Sequence, residues 1–482
     1  MPHYIPKNLT NLFMTQALRF IFTVILSTSS LLLSAQDGYK QSFDPNWVKT
    51  FAAYGFSWAF DMDLDAQGNI YVTGYYQSTL IIDTSAVKQA PLILSPGSGD
   101  TYFLCKFTAD GKFCWIQRGM DQTRPCKVKL DPAGNIQVVG TCYGNQLRLV
   151  SSSYDTVVIN KRLNYRNKIF LAKYSPNGKL LQTKLLPSSR KQNASDFDFD
   201  DKGNIYIAGT YEFRSKDNPS LVQNSYLVLK VDSDYNVVQQ MQGDTTGKSH
   251  LFSIDYNSKY GLLIGGSYEK AVIIGGKYFY TPNNEGYRFF AKFDTTLQYQ
   301  FAEGRIGRVA QGACVATKFN SQGEMIVLCS SSYGIMTLNK YYTSGRLNWS
   351  LDTKGNRSAY PEKLIIDEQD NIYICGNSYG VLFNSTWGTV AQAEDAGYAP
   401  FMLKYASNGR LLWLKTIGGD GTRYCKSMAI KDHKIYGFGW TNSSLEFATK
   451  TIPAVSGYTF WIGEFDLDAF NRYEIPQTEK RQ

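Results

Sequence analysis

DAQGNIYVTG, at Asp65–Gly74, decides the fold, because the chain keeps writing it again. DPAGNIQVVG (Asp131–Gly140), DDKGNIYIAG (Asp200–Gly209) and DEQDNIYICG (Asp367–Gly376) are near copies. NSKYGLLIGG (Asn257–Gly266), NSQGEMIVLCS (Asn320–Ser330) and KDHKIYGFG (Lys431–Gly439) are weaker ones and bring the count to seven. Self-similarity at a long, near-regular interval marks a solenoid, propeller or array. Each copy opens on a polar turn and runs into a short apolar strand.

Working outward from the phrase, a short segment precedes it, as at Trp58–Leu64 and Ser253–Tyr256. A third strand follows after a variable loop: TYFLCKF (Thr101–Phe107), KIFLAKY (Lys168–Tyr174), SYLVLKV (Ser225–Val231), RFFAKFD (Arg288–Asp294), GIMTLNKY (Gly334–Tyr341) and PFMLKYA (Pro400–Ala406). Its lysines are Lys106, Lys173, Lys230, Lys292, Lys340 and Lys404, and the seventh copy, TFWIGEF (Thr459–Phe465), has Glu464 instead. A Gly-containing turn such as ADGK (Ala109–Lys112) or PNGK (Pro176–Lys179) then leads to a fourth strand, often with a Trp. Gly there suits a backbone of positive φ. Four short strands joined by turns are the content of one propeller blade.

WVKTFA (Trp47–Ala52) matches the fourth strands WLKTIG (Trp413–Gly418) and WIQRG (Trp115–Gly119), but no blade precedes it. It is expected to complete the last blade and hide the sheet edges that would otherwise be exposed. Phe470–Ile475 is the competing strand. The reading is an all-β, seven-bladed propeller of four-stranded antiparallel blades over residues 45–470, closed by an N-terminal strand in the last blade. Residues 36–44 form a short N-terminal segment and 471–482 a C-terminal tail.

Composition agrees, with 34 Tyr, 28 Phe and 41 Gly and no long helical periodicity. Arg19, the apolar run Phe20–Leu33 and the small-residue exit Ser34-Ala35 predict a signal peptide over 1–35. The run is short for a membrane span, and no later stretch is long and apolar enough for one. The chain is therefore expected to be exported, to the periplasm, cell surface or exterior, with no transmembrane segment after cleavage. The formal charge of +9 falls to +7 without Lys7 and Arg19, and it is spread out, which gives a nucleic-acid partner no support.

The order Asp-x-x-Gly-Asn-Ile-Tyr-Val-x-Gly, Phe-x-x-Lys-Tyr-x-x-x-Gly, Leu-x-Trp resembles the SBBP repeat of bacterial secreted β-propellers, over about Trp47 to Asp468. The resemblance implies a propeller in the envelope or outside the cell. It implies no activity, since that family shares no catalytic residues.

Little in the sequence points to chemistry. Past residue 35 only His250 and His433 remain, in different repeats, so a His-based metal site or a Ser-His-Asp triad is poorly supported. The Asp-rich stretches (Asp61, Asp63, Asp65; Asp196, Asp198, Asp200, Asp201) bring calcium to mind but lack the spacing of a calcium loop with its closing Glu. No catalytic residue, metal or other cofactor is assigned. Six repeated lysines serve the blade, with the turn aspartates as their expected partners.

Eight Cys in an exported chain raise disulfides. Hairpin register places Cys314 opposite Cys329 and Cys105 opposite Cys114, while Cys126 and Cys142 miss register. Cys375 and Cys425 lie in neighbouring repeats. The alternative is that all are reduced and buried. Tyr75, Tyr143, Tyr211, Tyr268, Tyr333 and Tyr379 follow the second strand in successive copies. They either line one mouth of the ring, to stack on a glycan or protein, or pack between blades. The expected function is a binding or scaffolding module. A propeller-based glycan hydrolase or lyase is the alternative, and would need an unrepeated cluster of carboxylates or Tyr/Arg at one mouth. A subunit of a secretion or surface assembly is the other.

Overall fold

The computed structural model describes residues 43–472 apart from 83–91, 96–98, 121, 145, 151–155, 160–166, 215–217, 219, 282–284, 305, 307–310, 332, 356–357, 380–381, 385–387, 392–396 and 456. The expected leader and Arg305 and Arg308, near the fifth repeat, lie outside the described residues, as does the tail beyond residue 472.

The strands group into seven antiparallel four-stranded blades, six of them meanders of one repeat and the seventh taking its fourth strand from near the N-terminus. In blade 1 these are Ser57–Leu64, Ile70–Tyr76, Thr101–Phe107 and Phe113–Met120. The first strands of the remaining blades are Thr123–Leu130, Gln192–Phe199, Lys248–Asn257, Ala313–Phe319, Ser358–Ile366 and Arg423–Lys431. These first strands contact one another around the ring and line its axis, and the fourth strands are outermost. Second and third strands such as Ile70–Tyr76 are buried along their whole length, because each sheet is packed on both faces.

Closure follows the expected route. Trp47–Ala53 pairs antiparallel with Tyr458–Asp466, with Phe51 opposite Phe460 and Trp47 opposite Glu464. The two phenyl rings stack at 5.1 Å. Phe470 forms no strand. It lies in the short helix Leu467–Asn471, capped by Asp466, and its ring meets Trp413 edge-on at 5.1 Å.

The variable loops add straps. The hairpin Leu80–Ile82/Leu92–Leu94 of blade 1 extends the outer edge of Trp47–Ala53. Leu147–Val150/Thr156–Ile159 of blade 2 does the same to Phe113–Met120, and Leu382–Asn384/Gly388–Ala391 of blade 6 to Leu347–Gly355. Each covers the open edge of the preceding blade.

The repeated phrase is spent on the blade itself. Asp65 Oδ1 accepts the backbone N–H groups of Gln67 and Asn69, and its Oδ2 accepts Asn69 Nδ2 at 2.7 Å and the Tyr71 hydroxyl at 3.1 Å. The same four bonds recur at Asp200 and Asp367. Gly68 holds a φ of +77°, where a side chain is strained. The third-strand lysines complete the motif: Lys173 pairs with Asp131 at 3.1 Å, and Lys106 and Lys230 sit 4.0 Å from Asp65 and Asp200. Lys106, Lys230 and Lys404 also lie over the rings of Tyr71, Tyr206 and Tyr373.

The Gly that ends the phrase has a different cause. Every first strand carries a β-bulge at the same place, centred on Phe60, Cys126, Ser195, Phe252, Val315, Glu362 and Lys426. The residue before the bulge faces Gly74, Gly140, Gly209, Gly266, Gly376 or Gly439. A Cβ on Gly74 would stand 2.3 Å from the Trp58 carbonyl oxygen, and one on Gly376 2.3 Å from that of Tyr360. At these six places the bulge leaves no room for a side chain, whereas in blade 5 Cys329 takes the position.

Candidate functional site

Bulges bend a strand and re-aim its side chains. Here they organise the axis, where the first strands carry six acids and seven lysines in an unrepeated order. Asp61 is fully buried and accepts Lys363 Nζ at 2.5 Å, Ser427 Oγ at 2.8 Å and the Val128 N–H at 3.3 Å. Burial works against its charge, but Lys127 and Lys363 outweigh that and hold the carboxyl below its ordinary range. Asp198 binds Lys129 at 2.9 Å and the Tyr256 N–H at 3.1 Å. Burial opposes its ionisation too, but Lys129 and Lys318 lower it to about 2. Lys318 itself pairs with Asp255.

These carboxylates also latch blade to blade. Asp63 accepts the Leu130 N–H at 2.8 Å, Asp196 that of Ile254 at 3.1 Å and Asp255 that of Phe319 at 2.9 Å. Read from the sequence, the alternating aspartates cap turns or pair with the repeated lysines; Asp65 and Asp200 do so, whereas Asp61, Asp63, Asp196 and Asp198 do not. Their partners are lysines and backbone N–H groups of other first strands, because alternate residues of a strand share a face.

The ring has two unlike faces. One carries the repeated turns, and a cavity of 640 Å³ opens there, bounded by Asp63, Asp255, Lys318, Lys363 and Lys431. Burial raises the carboxyls of both Asp63 and Asp255. The other face carries the variable loops and a crescent of aromatic rings across blades 6, 7 and 1. Tyr398 meets Tyr360 at 6.0 Å, Tyr379 at 5.6 Å and Tyr424 at 5.4 Å. Tyr424 stacks on Trp440 at 4.7 Å and lies 5.9 Å from Trp58. Two bulge residues supply charge: Glu362 pairs with Lys426 at 2.5 Å, and Lys426 lies 5.5 Å above the Trp58 ring. Asn377 Nδ2 donates to Glu362 at 3.2 Å and fixes it. At the blade 1–2 boundary Arg124, held by Asp100, lies over the rings of Tyr75 and Tyr143 at 4.9 and 5.4 Å.

The tyrosines picked from sequence therefore part company. Tyr379 joins the crescent, and Tyr75 and Tyr143 flank Arg124. Tyr211 is buried with its hydroxyl on the Gly243 carbonyl at 2.7 Å, and Tyr268 is buried among Phe279, Tyr287 and Phe289. Those two pack within blades. Tyr333 is 63% exposed on the blade 5 loop. Trp58, Tyr360, Tyr398, Tyr424, Glu362 and Lys426 were missed. They sit in unrepeated first and third strands, and the only signal for them was departure from the repeat.

All eight cysteines are free thiols. Cys314 stands opposite Cys329, as the register predicted. Cys105 does not face Cys114: a bulge between Lys106 and Phe107 puts it opposite Ile116 and leaves Cys114 exposed. Glu212 and Glu269, acids that recur near the second strand, pair with Lys191 at 3.0 Å and Lys248 at 2.9 Å. Arg423 is fully buried. His250 and His433 lie far apart in sequence and in different blades, and His433 contacts Asp468 at 3.0 Å. Among the described residues no group of three or more His, Cys, Asp or Glu could hold a metal. No helix among them is long and apolar enough to cross a membrane.

No known protein-family model matches the sequence, and no curated protein does. Solved structures do. A polysaccharide lyase, ulvan lyase, is 11% identical, with a TM-score of 0.47 over 90% of this chain and 99% of that one. Virginiamycin B lyase from Staphylococcus aureus is 9% identical, with a TM-score of 0.39 over 86% and 99%. Puromycin hydrolase is 10% identical, with a TM-score of 0.47 over 89% of this chain and 55% of that one. At such identity and overlap they bear on neither substrate nor mechanism.

Proposed function

We propose that the chain is an exported glycan-binding propeller whose ligand lies on the aromatic crescent of the loop face. The observation that carries the reading is the convergence of Trp58, Tyr360, Tyr398 and Tyr424 with the Glu362–Lys426 pair. Sugar rings present apolar C–H faces and a rim of hydroxyls. Aromatic rings cover the first, while a carboxylate and an ammonium bond the second. The crescent stands on rigid strands beside variable loops, where recognition is usually built. The leader-like segment at Phe20–Leu33 supports export.

The crescent suits binding better than proton transfer. Burial, with Tyr398 and Glu362 nearby, pushes the Tyr424 hydroxyl up to about 12, so it stays a neutral donor at physiological pH. Glu362 is tied to Lys426 and Asn377, not poised as a free base. Titration of the protein with a neutral and a uronate oligosaccharide, followed by tryptophan fluorescence, tests the proposal. Saturable quenching that is lost in Tyr360→Ala supports it. No response to either sugar class, or a response unchanged in the variant, overturns it.

A further inference from the structure

Blade 5 departs from the rule the other blades keep. Where they set a Gly against the bulge, it sets Cys329, and the residue opposite is Cys314. Both are fully buried. Directly opposed residues in an antiparallel pair have Cα atoms about 4.5–5.5 Å apart, inside the window of about 4.4–6.8 Å that a disulfide spans.

A third group belongs to the same place. Arg288, on the third strand of blade 4, has no exposed surface. Its Nη1 donates to the Ile306 carbonyl at 3.2 Å and to Thr337 Oγ1 at 3.1 Å. Thr337 faces Cys329 across the next strand pair, which brings the guanidinium to the sulfurs. Its Nε and Nη2 have no hydrogen-bond partner among the described residues, and no described carboxylate pairs with it. Thr337 Oγ1 in turn donates to Asp352 at 2.9 Å, so that carboxylate meets the guanidinium only through the hydroxyl, and the buried Nε and Nη2 still need a partner of their own. The Cys329 sulfur can supply one. Burial opposes its ionisation, but the bond with Cys314 and the Arg288 charge outweigh burial and hold the thiol below its ordinary range. Burial and Cys329 push Cys314 up, so it keeps its proton.

We propose that Cys314 and Cys329 form a redox-active dithiol, with Arg288 as its built-in counter-ion and hydrogen peroxide or a similar small peroxide as its oxidant. The Cys329 thiolate attacks one peroxide oxygen. A sulfur–oxygen bond forms, the oxygen–oxygen bond breaks, and the departing hydroxide takes a solvent proton to become water. The Cys314 sulfur then attacks the Cys329 sulfur. The disulfide forms, the sulfur–oxygen bond breaks, and the Cys314 proton leaves with the hydroxyl as a second water. Two electrons pass from the sulfurs to the peroxide. The strand ends at Ser330, one residue past Cys329, and Tyr333, four past it, is exposed, so access is by local opening at that strand end. Cys375 and Cys425 form the contrasting pair: burial, Cys375 and Glu362 push the Cys425 thiol well up.

The test uses the full chain with Cys114→Ser, which removes the exposed thiol. Peroxide is added to the folded protein and disulfides are mapped by mass spectrometry without reduction. The expected result is a Cys314–Cys329 bond formed while Cys375 and Cys425 stay reduced, at a rate that falls about tenfold or more in Arg288→Gln. The proposal is overturned if the pair stays reduced until the protein is unfolded, or if the rate is the same in the variant. Should Arg288→Gln fail to fold, ultraviolet thiolate absorbance of the Cys114→Ser protein against pH decides. A single step below the ordinary thiol range, absent after Cys329→Ser, supports the assignment, and no such step overturns it.

Discussion

The two faces of this ring are built by opposite rules. On the turn face one phrase is repeated, and nearly every letter has a structural use. Asp65 ties its turn, Asn69 and Tyr71 fill the same carboxylate, and Lys106 approaches it. On the loop face nothing repeats, and Trp58, Tyr360, Glu362 and Lys426 meet although they come from three blades. A residue needed in every blade serves the blade, whereas a site needs its residues once. The axis lies between the two rules: its bulges repeat and its charges do not.

Breaking the axis has the largest expected effect. Asp61→Ala removes the buried carboxylate that Lys363 binds at 2.5 Å and that Lys127 faces, and should lower stability by about 3–5 kcal/mol in urea unfolding. Gly376→Ala drives a Cβ into the Tyr360 carbonyl and should cost about 1–3 kcal/mol. Gly134→Ala meets no atom within 4 Å, so only its φ of +79° matters, for about 1–2 kcal/mol. The bulge explanation requires Gly376→Ala to cost more than Gly134→Ala, and the reverse order would contradict it.

Acid sharpens the comparison. The Asp198 carboxyl is lowered to about 2 in the fold, so its contribution is present above the unfolded value near 3.8 and is lost as pH falls toward 2. That contribution is on the order of 2 kcal/mol. Asp255 and Asp63 are raised, so they act in the opposite sense: their contribution is present in acid and is lost as pH rises through their folded values. Asp198→Asn should flatten the loss of stability between pH 4 and 2 in calorimetric scans, and an unchanged slope would place the acid response elsewhere. The smallest effect is expected on the turn face. Lys173→Met should lower stability by about 0.5 kcal/mol, since the Lys173–Asp131 pair is partly exposed and other bonds also hold Asp131.

Repetition made the blades, their order and the closing strand legible, because a period needs no knowledge of contacts. The Trp47 strand was found by its likeness to the strands at Trp115 and Trp413. Bulges were not legible. A bulge adds one residue to one strand of a pair and leaves no mark in the apolar pattern, so the Cys105–Cys114 register slipped while Cys314–Cys329 held. The crescent was hidden for the same reason. Glu362 and Lys426 occupy bulge positions of neighbouring blades and meet only in three dimensions. Tyr211 and Tyr268 looked equivalent to Tyr379 in sequence, but hydroxyl and ring partners inside their own blades hold them away from the mouth.

The central claim is that recognition belongs to the unrepeated loop face. Calorimetric titration of the wild type and of Tyr360→Ala with the oligosaccharide that quenches tryptophan fluorescence most strongly tests it directly. Affinity at least tenfold weaker in the variant, a loss of about 1.4 kcal/mol, with an unchanged melting temperature, is the predicted result. Equal affinity in the two proteins would contradict it.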